Sequence, residues 1–315
     1  MIPPEAAPAF LARAGWGDAR VEPLAGDASF RRYFRARAPG RSAVLMDAPP
    51  QHEDSRPFIA VTEHLQALGF AAPRILARDL EQGLILLEDF GDARMAEVIA
   101  ADPARETPIY AQAIDLLRAL HRADGGALPA YDMAVYQREA GLFPEWYLPA
   151  VGIGPDDGYA QAWQGALETI AADRSVTVLR DYHAENIMLL EDGGLGLLDF
   201  QDALAGHPAY DLVSLLQDAR REVSSEIERT MLDRYGAIDA AAYAILGAQR
   251  NAKILGIFTR LWKRDGKPRY LAYQPRVWRY LERDLAHPAL TEVKAWFDRT
   301  VPPEKRAAFW SDPGA

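Results

Sequence analysis

The 315-residue chain contains no cysteine. It can form no disulfide, no thiolate nucleophile and no cysteine-ligated zinc site, so a secreted disulfide scaffold and a zinc finger are excluded and a reducing cytoplasm is the expected compartment. It also lacks any run of the roughly 18 apolar residues that a membrane helix needs. Its start, Met1-Ile2-Pro3-Pro4-Glu5, has neither the basic region nor the apolar stretch of a signal peptide. A soluble protein without a membrane partner is expected. Positive charge is in deficit: 35 Lys and Arg stand against 45 Asp and Glu, a formal −10, which argues against nucleic acid as a partner. No obligate protein partner is evident. There is no G-x-x-x-x-G-K-[ST] loop and no H-E-x-x-H pair among the six histidines, and Gly152-Ile153-Gly154 lies in a proline-containing loop with no strand before it. A P-loop enzyme, a zinc hydrolase and a dinucleotide-binding fold are set aside accordingly.

A hydrophobic fraction of 49% allows a sizeable core in one large domain or two packed lobes. A short amphipathic helix at 5–14 precedes strand-like stretches at Val21–Leu24, Phe30–Ala36 and Ser42–Asp47, separated by Gly26-Asp27-Ala28-Ser29 and Pro39-Gly40. Pro57, then Phe58, Ile59, Val61, Leu65 and Leu68, then Gly69 spell a helix with a start and a stop. Two further strands, Arg74–Ala77 and Leu84–Glu88, complete a small antiparallel sheet with one helix. Beyond Gly91 the periodicity is helical, as in Ile109–His121, Tyr159–Ala172 and Ala240–Arg260, apart from one strand region at Val176–Phe200. The fold class expected is α+β, with a small lobe over 1–90 and a mostly helical lobe over 91–315. Between Arg250 and Arg283, ten Lys and Arg face only Asp265 and Glu282. Either an anion is held there or the long stems cover apolar surface.

The segment with chemistry in it is Leu179-Arg180-Asp181-Tyr182-His183-Ala184-Glu185-Asn186, followed by two apolar runs around Asp192-Gly193-Gly194 and by Asp199-Phe200. The runs predict a tight hairpin that carries Asn186 at one end and Asp199 at the other. Phosphoryl transfer needs a group to orient a hydroxyl and accept its proton, and oxygen ligands for magnesium. Asp181 can do the first task, Asn186 and Asp199 the second.

The spacing resembles the H-R-D-x-x-x-x-N and D-F-G pattern of protein kinases, with Leu179 in place of His and Gln201 in place of Gly. The latter resembles small-molecule kinases of the aminoglycoside phosphotransferase type. The resemblance implies a protein-kinase-like two-lobed fold, ATP and Mg2+ as cofactors, Asp181 as base, and Asn186 and Asp199 as metal ligands. His183 falls where protein kinases keep a lysine, so it either stabilises transition-state charge or hydrogen-bonds the loop. Asp211, in Tyr210-Asp211-Leu212, is expected to brace the catalytic-loop backbone. In the small lobe, Ala28 and Ser29 amides with Arg31 or Arg32 are expected at the phosphates. Met46 occupies the position of the kinase lysine, so an arginine is expected to replace it, Arg32 before Arg31, oriented by Glu63. The Glu88 carbonyl and Phe90 amide are expected to face the adenine.

Phe143-Pro144-Glu145-Trp146-Tyr147, beside Glu139, offers aromatic faces and carboxylates of the kind that hold a sugar, or of the kind that pack a core. Over most of its length, including Met46-Asp47-Ala48-Pro49-Pro50 and Gln249–Phe258, the sequence resembles the anomeric N-acetylmuramate/N-acetylglucosamine kinases of cell-wall recycling. That resemblance implies an amino-sugar acceptor phosphorylated at C1, with Glu139, Phe143, Trp146 and Tyr147 at the sugar and Arg250 and Lys253 attracting a lactyl carboxylate. The competing expectations are a kinase of another small hydroxyl compound and a catalytically dead nucleotide-binding protein, the latter motivated by Met46.

Overall fold

A computed structural model describes residues 1–24, 30–123, 128–155 and 158–306. In chain order the elements are α1 (Ala7–Arg13), β1 (Arg20–Pro23), β2 (Arg32–Ala38), β3 (Arg41–Asp47), α2 (Arg56–Ala67), β4 (Ile75–Asp79), β5 (Leu84–Glu88) and α3 (Met95–Ala101). There follow α4 (Glu106–Leu120), α5 (Met133–Ala140), a π-helical turn at Phe143–Tyr147, the short α6 (Leu148–Ala150), α7 (Tyr159–Ala172), β6 (Val176–Val178), β7 (Ile187–Leu189), β8 (Leu195–Leu197) and β9 (Leu204–Gly206). The remainder is helical: α8 (Ala209–Leu216), α9 (Ser225–Tyr235), α10 (Ala240–Lys263), α11 (Gln274–Leu285) and α12 (Thr291–Thr300). None of these helices is long and apolar enough to cross a membrane. Two compact units form, Met1–Ala101 with Glu185–Asp202, and Asp102–Ala184 with Ala203–Ala315.

In the first unit the sheet runs in the order β1-β2-β3-β5-β4, every neighbouring pair antiparallel. Phe34, Leu45, Leu84 and Leu86 project from one face of it into a core shared with Phe10, Leu11 and Trp16, the alternation a strand imposes on its side chains. Helix α2 has its proline in the first turn and buries Phe58, Ile59, Val61, Thr62 and Leu65, one stripe at helical spacing. The hairpin β7–β8 belongs to this unit although the chain reaches it only after α7. Leu197 N–H donates to Ala71 O at 2.8 Å and Leu189 N–H to Ala93 O at 2.7 Å. Gly196 is required there: a Cβ would sit 2.6 Å from the Phe90 ring.

Helix α10 is the axis of the second unit. Asp239 caps it, accepting from Ala241 N–H at 2.9 Å, and its residues from Ala242 to Gly256 are all buried. Gly247 lets α11 come close, since a Cβ there would meet Asp284 Oδ2 at 2.3 Å. A two-stranded ladder, β6 with β9, leads the chain into and out of the segment that contains the loop described next.

Candidate active site

The loop Leu179–His183 follows β6 in the second unit. Asp211, fully buried in the first turn of α8, accepts from Leu179 N–H at 2.6 Å and from Arg180 N–H at 2.9 Å, the brace expected from the sequence. Those two bonds hold Arg180 at φ 71, a left-handed conformation that disfavours a side chain and persists only where its surroundings impose it. The Arg180 carbonyl accepts from Arg250 Nη1 at 2.9 Å and from the Ser214 hydroxyl at 3.4 Å. Its guanidinium bonds Glu139, which also accepts from Tyr131 OH and from Lys253 Nζ at 2.9 Å. Burial alone would push the Glu139 carboxyl up, but Lys253 and Arg180 outweigh it and hold the pKa at about 2.

Asp181 sits on this scaffold with 36% of its side chain exposed, 3.6 Å from Arg250 Nη2. Desolvation by its surroundings opposes its charge, yet Arg250, Lys253, His183 and Arg180 together bring its pKa to about 2. It is an ionised carboxylate throughout the physiological range. His183 differs from one of its two expected roles. It is 4% exposed, its Nε2 lies 3.2 Å from Arg220 Nη1, and burial with that guanidinium lowers its pKa to about 4. A neutral imidazole supplies no charge to a transition state, and the charged group next to it is Arg220.

In the first unit the hairpin brings its two expected ligands together. Asn186 Nδ2 donates to Asp199 Oδ2 at 3.4 Å, and Leu198 N–H donates to the Asn186 carbonyl at 2.9 Å. Asp199 is the second non-glycine residue in the left-handed region among the described residues, at φ 57. Gln201, in the position where kinases have glycine, donates to Asp199 Oδ1 at 2.9 Å. Phe200 stacks on Phe58 of α2 with ring centroids 5.5 Å apart, anchoring the hairpin's end. An amide and one carboxylate suit a hard divalent cation that keeps waters and phosphate oxygens for its remaining positions. A fuller cage is not present: among the described residues no three His, Asp or Glu side chains gather as a metal site.

The expected nucleotide residues are placed as follows. Ala28 and Ser29 lie outside the described residues. Arg32 and Asp47 face each other across β2 and β3 and form an ion pair, Arg32 Nε to Asp47 Oδ2 at 2.7 Å. Arg31 is 8% exposed, donates to Glu53 at 3.3 Å, and keeps a raised pKa: burial opposes its charge, but Tyr33, Glu53 and Asp199 outweigh that. Adjacent residues of an extended chain point to opposite faces, and it is Arg31, not the favoured Arg32, that lies in the field of Asp199. Glu63 is drawn to Arg78 at 3.4 Å and does not orient Arg32. Met46 is fully buried in β3. The Glu88 side chain pairs with Arg74 at 3.0 Å, and β5 ends at Glu88, two residues before Phe90.

A residue that the sequence reading missed fixes this last segment. Arg35, 7% exposed, donates to Asp92 at 2.7 Å, Asp89 at 3.0 Å and the Gly91 carbonyl at 2.9 Å. The available signal was weak: Arg35 is one of three arginines in β2, and two aspartates flank Phe90-Gly91.

The acceptor residues need correction. Phe143 and Tyr147 are fully buried, stacked on each other at 4.8 Å, with Trp278 edge-on to Phe143 at 5.8 Å. Tyr147 OH accepts from Trp278 Nε1 at 2.9 Å and donates to Lys305 O at 2.7 Å. These rings are core, and no sugar reaches their faces. Trp146 is half-buried on the same turn. Glu139 and Lys253 neutralise each other beneath the loop, and Arg250 is 4% exposed beside Asp181, so the two cations brace the loop and do not form an open anion site.

The sequence profile of the phosphotransferase enzyme family matches residues 20–246. An N-acetylmuramate/N-acetylglucosamine kinase of Caulobacter vibrioides is 42% identical, the match covering 95% of this chain and 96% of that protein. A protein of the same name from Pseudomonas aeruginosa is 39% identical, covering 91% of each. Among solved structures, the ADP-bound aminoglycoside phosphotransferase APH(2'')-Ib superposes with a TM-score of 0.61 over 88% of this chain and 97% of that one, at 12% identity. The α+β fold is thus the protein-kinase-like one.

Proposed function

Because the chain belongs to the phosphotransferase enzyme family, we propose that it uses ATP and Mg2+ to phosphorylate the anomeric C1 hydroxyl of N-acetylmuramate and N-acetylglucosamine, a cytoplasmic step in peptidoglycan recycling. The acceptor class rests on similarity to kinases of that name across nearly the whole chain. The chemistry rests on one observation above others: Asp181 is ionised and partly exposed on a loop immobilised from behind by Asp211, Arg250 and Ser214.

Phosphoryl transfer through a loose transition state asks little of a base until late, when the acceptor oxygen is already bonding to phosphorus and its proton has become acidic. A carboxylate with a pKa of about 2 is too weak to strip an alcohol beforehand. It can orient the hydroxyl by accepting its hydrogen bond, then take the proton as the new bond forms. The C1 hydroxyl is a hemiacetal, more acidic than an ordinary alcohol, and so suits this base. Asp199 and the Asn186 amide oxygen would hold the metal, with Gln201 keeping Asp199 in register. Magnesium, when bound, offsets charge on the β- and γ-phosphates. Arg31 takes the part of the lysine that Met46 replaces, and the segment fixed by Arg35 offers the Glu88 carbonyl and Phe90 amide to adenine.

Phosphorus NMR of the products formed from ATP, Mg2+ and a panel of amino sugars tests the reading. An anomeric phosphate is expected. A phosphomonoester at another hydroxyl would replace C1 by that position, and no product from any sugar would remove the proposal. Asp181→Asn is expected to lower kcat about 10²- to 10⁴-fold, the contribution usual for a general base, with nucleotide affinity kept.

A further inference from the structure

With Phe143 and Tyr147 in the core and Glu139 and Lys253 paired beneath the loop, a further polar cluster reaches the loop at His183 from a place the motifs do not mark. The connection 217–224, between α8 and α9, carries Asp218 and Arg220. Asp218 is 2% exposed. Its Oδ1 accepts from Arg220 N–H at 2.8 Å, whereas its Oδ2 is buried with no hydrogen-bond partner. A carboxylate oxygen out of water and without a donor is costly, and native structures rarely keep one without a use. Its surroundings are also distinctive. Arg220 Nη1 reaches His183 Nε2 at 3.2 Å, and His183, two residues after Asp181, feels the fields of both Asp181 and Asp218. Asp218 is thus tied, through Arg220 and His183, to the loop that carries the proposed base.

We propose that Asp218 is an acceptor-binding residue whose Oδ2 receives a hydrogen bond from a hydroxyl or acetamido N–H of the sugar, with Arg220 and His183 positioning the carboxylate. The inference rests on the amino-sugar reading above. A lone carboxylate oxygen takes a hydrogen-bond donor, and under the amino-sugar reading the acceptor presents several, hydroxyl and acetamido N–H, at fixed angles from C1. Oδ2 is within the protein surface, so the donor arrives with a shift of the 217–224 connection, irregular chain of the kind that commonly carries binding residues. A site made this way discriminates strongly, because a substrate without the matching hydroxyl leaves the carboxylate unpaired again.

The experiment uses the full chain with steady-state kinetics on N-acetylglucosamine and its monodeoxy analogues. Asp218→Asn and Asp218→Ala are expected to raise the sugar KM about 10- to 100-fold, the loss typical of a hydrogen bond to a charged group, with the ATP KM within twofold of wild type. One deoxy analogue should lose the same factor in wild type and nothing further in Asp218→Ala, the non-additivity expected of a direct partner. If all analogues lose additively, or if the variants lower the melting temperature while the sugar KM is unchanged, Asp218 is a structural group satisfied by water and the subsite is wrong. A wild-type protein that phosphorylates no amino sugar removes the premise and the subsite together. A wild type that does so while both variants match it removes the subsite alone.

Discussion

Helix α10 presents two polar faces to two different parts of the second unit, and they bury carboxylates in opposite states. On one face Arg250 and Lys253, three residues apart, reach the loop Leu179–His183 and Glu139. On the other, Gly247 and Asn251, four apart, receive Asp284 of α11. Asp284 Oδ1 accepts from Gln217 Nε2 at 3.1 Å and its Oδ2 from Asn251 Nδ2 at 3.3 Å. Both Glu139 and Asp284 are about 95% buried. Yet Glu139 is held at about 2, while burial pushes Asp284 up to about 8. The difference lies in the donors. Two cations overcome the desolvation of Glu139. Two neutral amides cannot do so for Asp284, and Arg283, the nearest cation, is 3.9 Å away and bound to Glu228 at 2.6 Å. The charged face supports a loop in a strained conformation, where a directional, strong interaction is needed. The neutral face joins two helices, where it is not.

The largest expected break in that comparison is Glu139→Gln. It leaves Arg180 and Lys253 buried without their counter-ion, a change of about 3–5 kcal/mol in stability when one partner of a buried pair is removed. Denaturant unfolding should show that loss, and Glu139→Gln/Lys253→Met should recover part of it. A single variant within about 0.5 kcal/mol of wild type would mean that the network is ornamental. Next in size is Arg250→Met, which frees the Arg180 carbonyl and removes the guanidinium facing Asp181. A fall in kcat of about 10- to 100-fold is expected for losing a charge-assisted bond, with the ATP KM unchanged and partial return in Arg250→Lys. Equal loss in Lys and Met variants would contradict a role for the charge.

Much of this architecture is legible in the sequence where the forces are local. Leu84–Glu88 and Tyr159–Ala172 are read to the residue because apolar periodicity and turn residues bound them. The positions of Asp181, Asn186 and Asp199 follow from motif spacing, since one loop and one hairpin carry all three. What was not legible depends on partners far along the chain. Strand β9 is three residues, made a strand by pairing with β6 on one side and with the chain at Ala130 on the other. Phe143 and Tyr147 read equally well as a sugar platform or as core, and Trp278, more than 130 residues later, decides for core. Lys253 reads as part of a basic patch until its partner Glu139, 114 positions earlier, is seen beneath it. The same applies to Arg31 and Arg32, whose order in the sequence says nothing about which one Asp47 claims.

The smallest effect separates the two faces most cleanly, because it depends on pH alone. In the folded chain Asp284 holds its proton up to about pH 8, whereas its ordinary value is 3.8. Between those values the folded state binds more protons than the unfolded one, so stability falls as pH rises, by at most ~1.4 kcal/mol per pH unit from this group. Glu139 has the opposite sign. Its pKa is depressed from 4.5 to about 2, so its contribution is complete above 4.5 and is lost as pH falls toward 2. Asp284→Asn substitutes a neutral group of the same shape for the protonated acid, and its own amide can meet the oxygens of Gln217 and Asn251. Near pH 6 the variant should melt within a few degrees of wild type; between pH 6 and 8 wild type should lose stability that the variant keeps. Parallel melting curves across that range would show that Asp284 is ionised in the fold, and that two amides suffice to bury a charge after all.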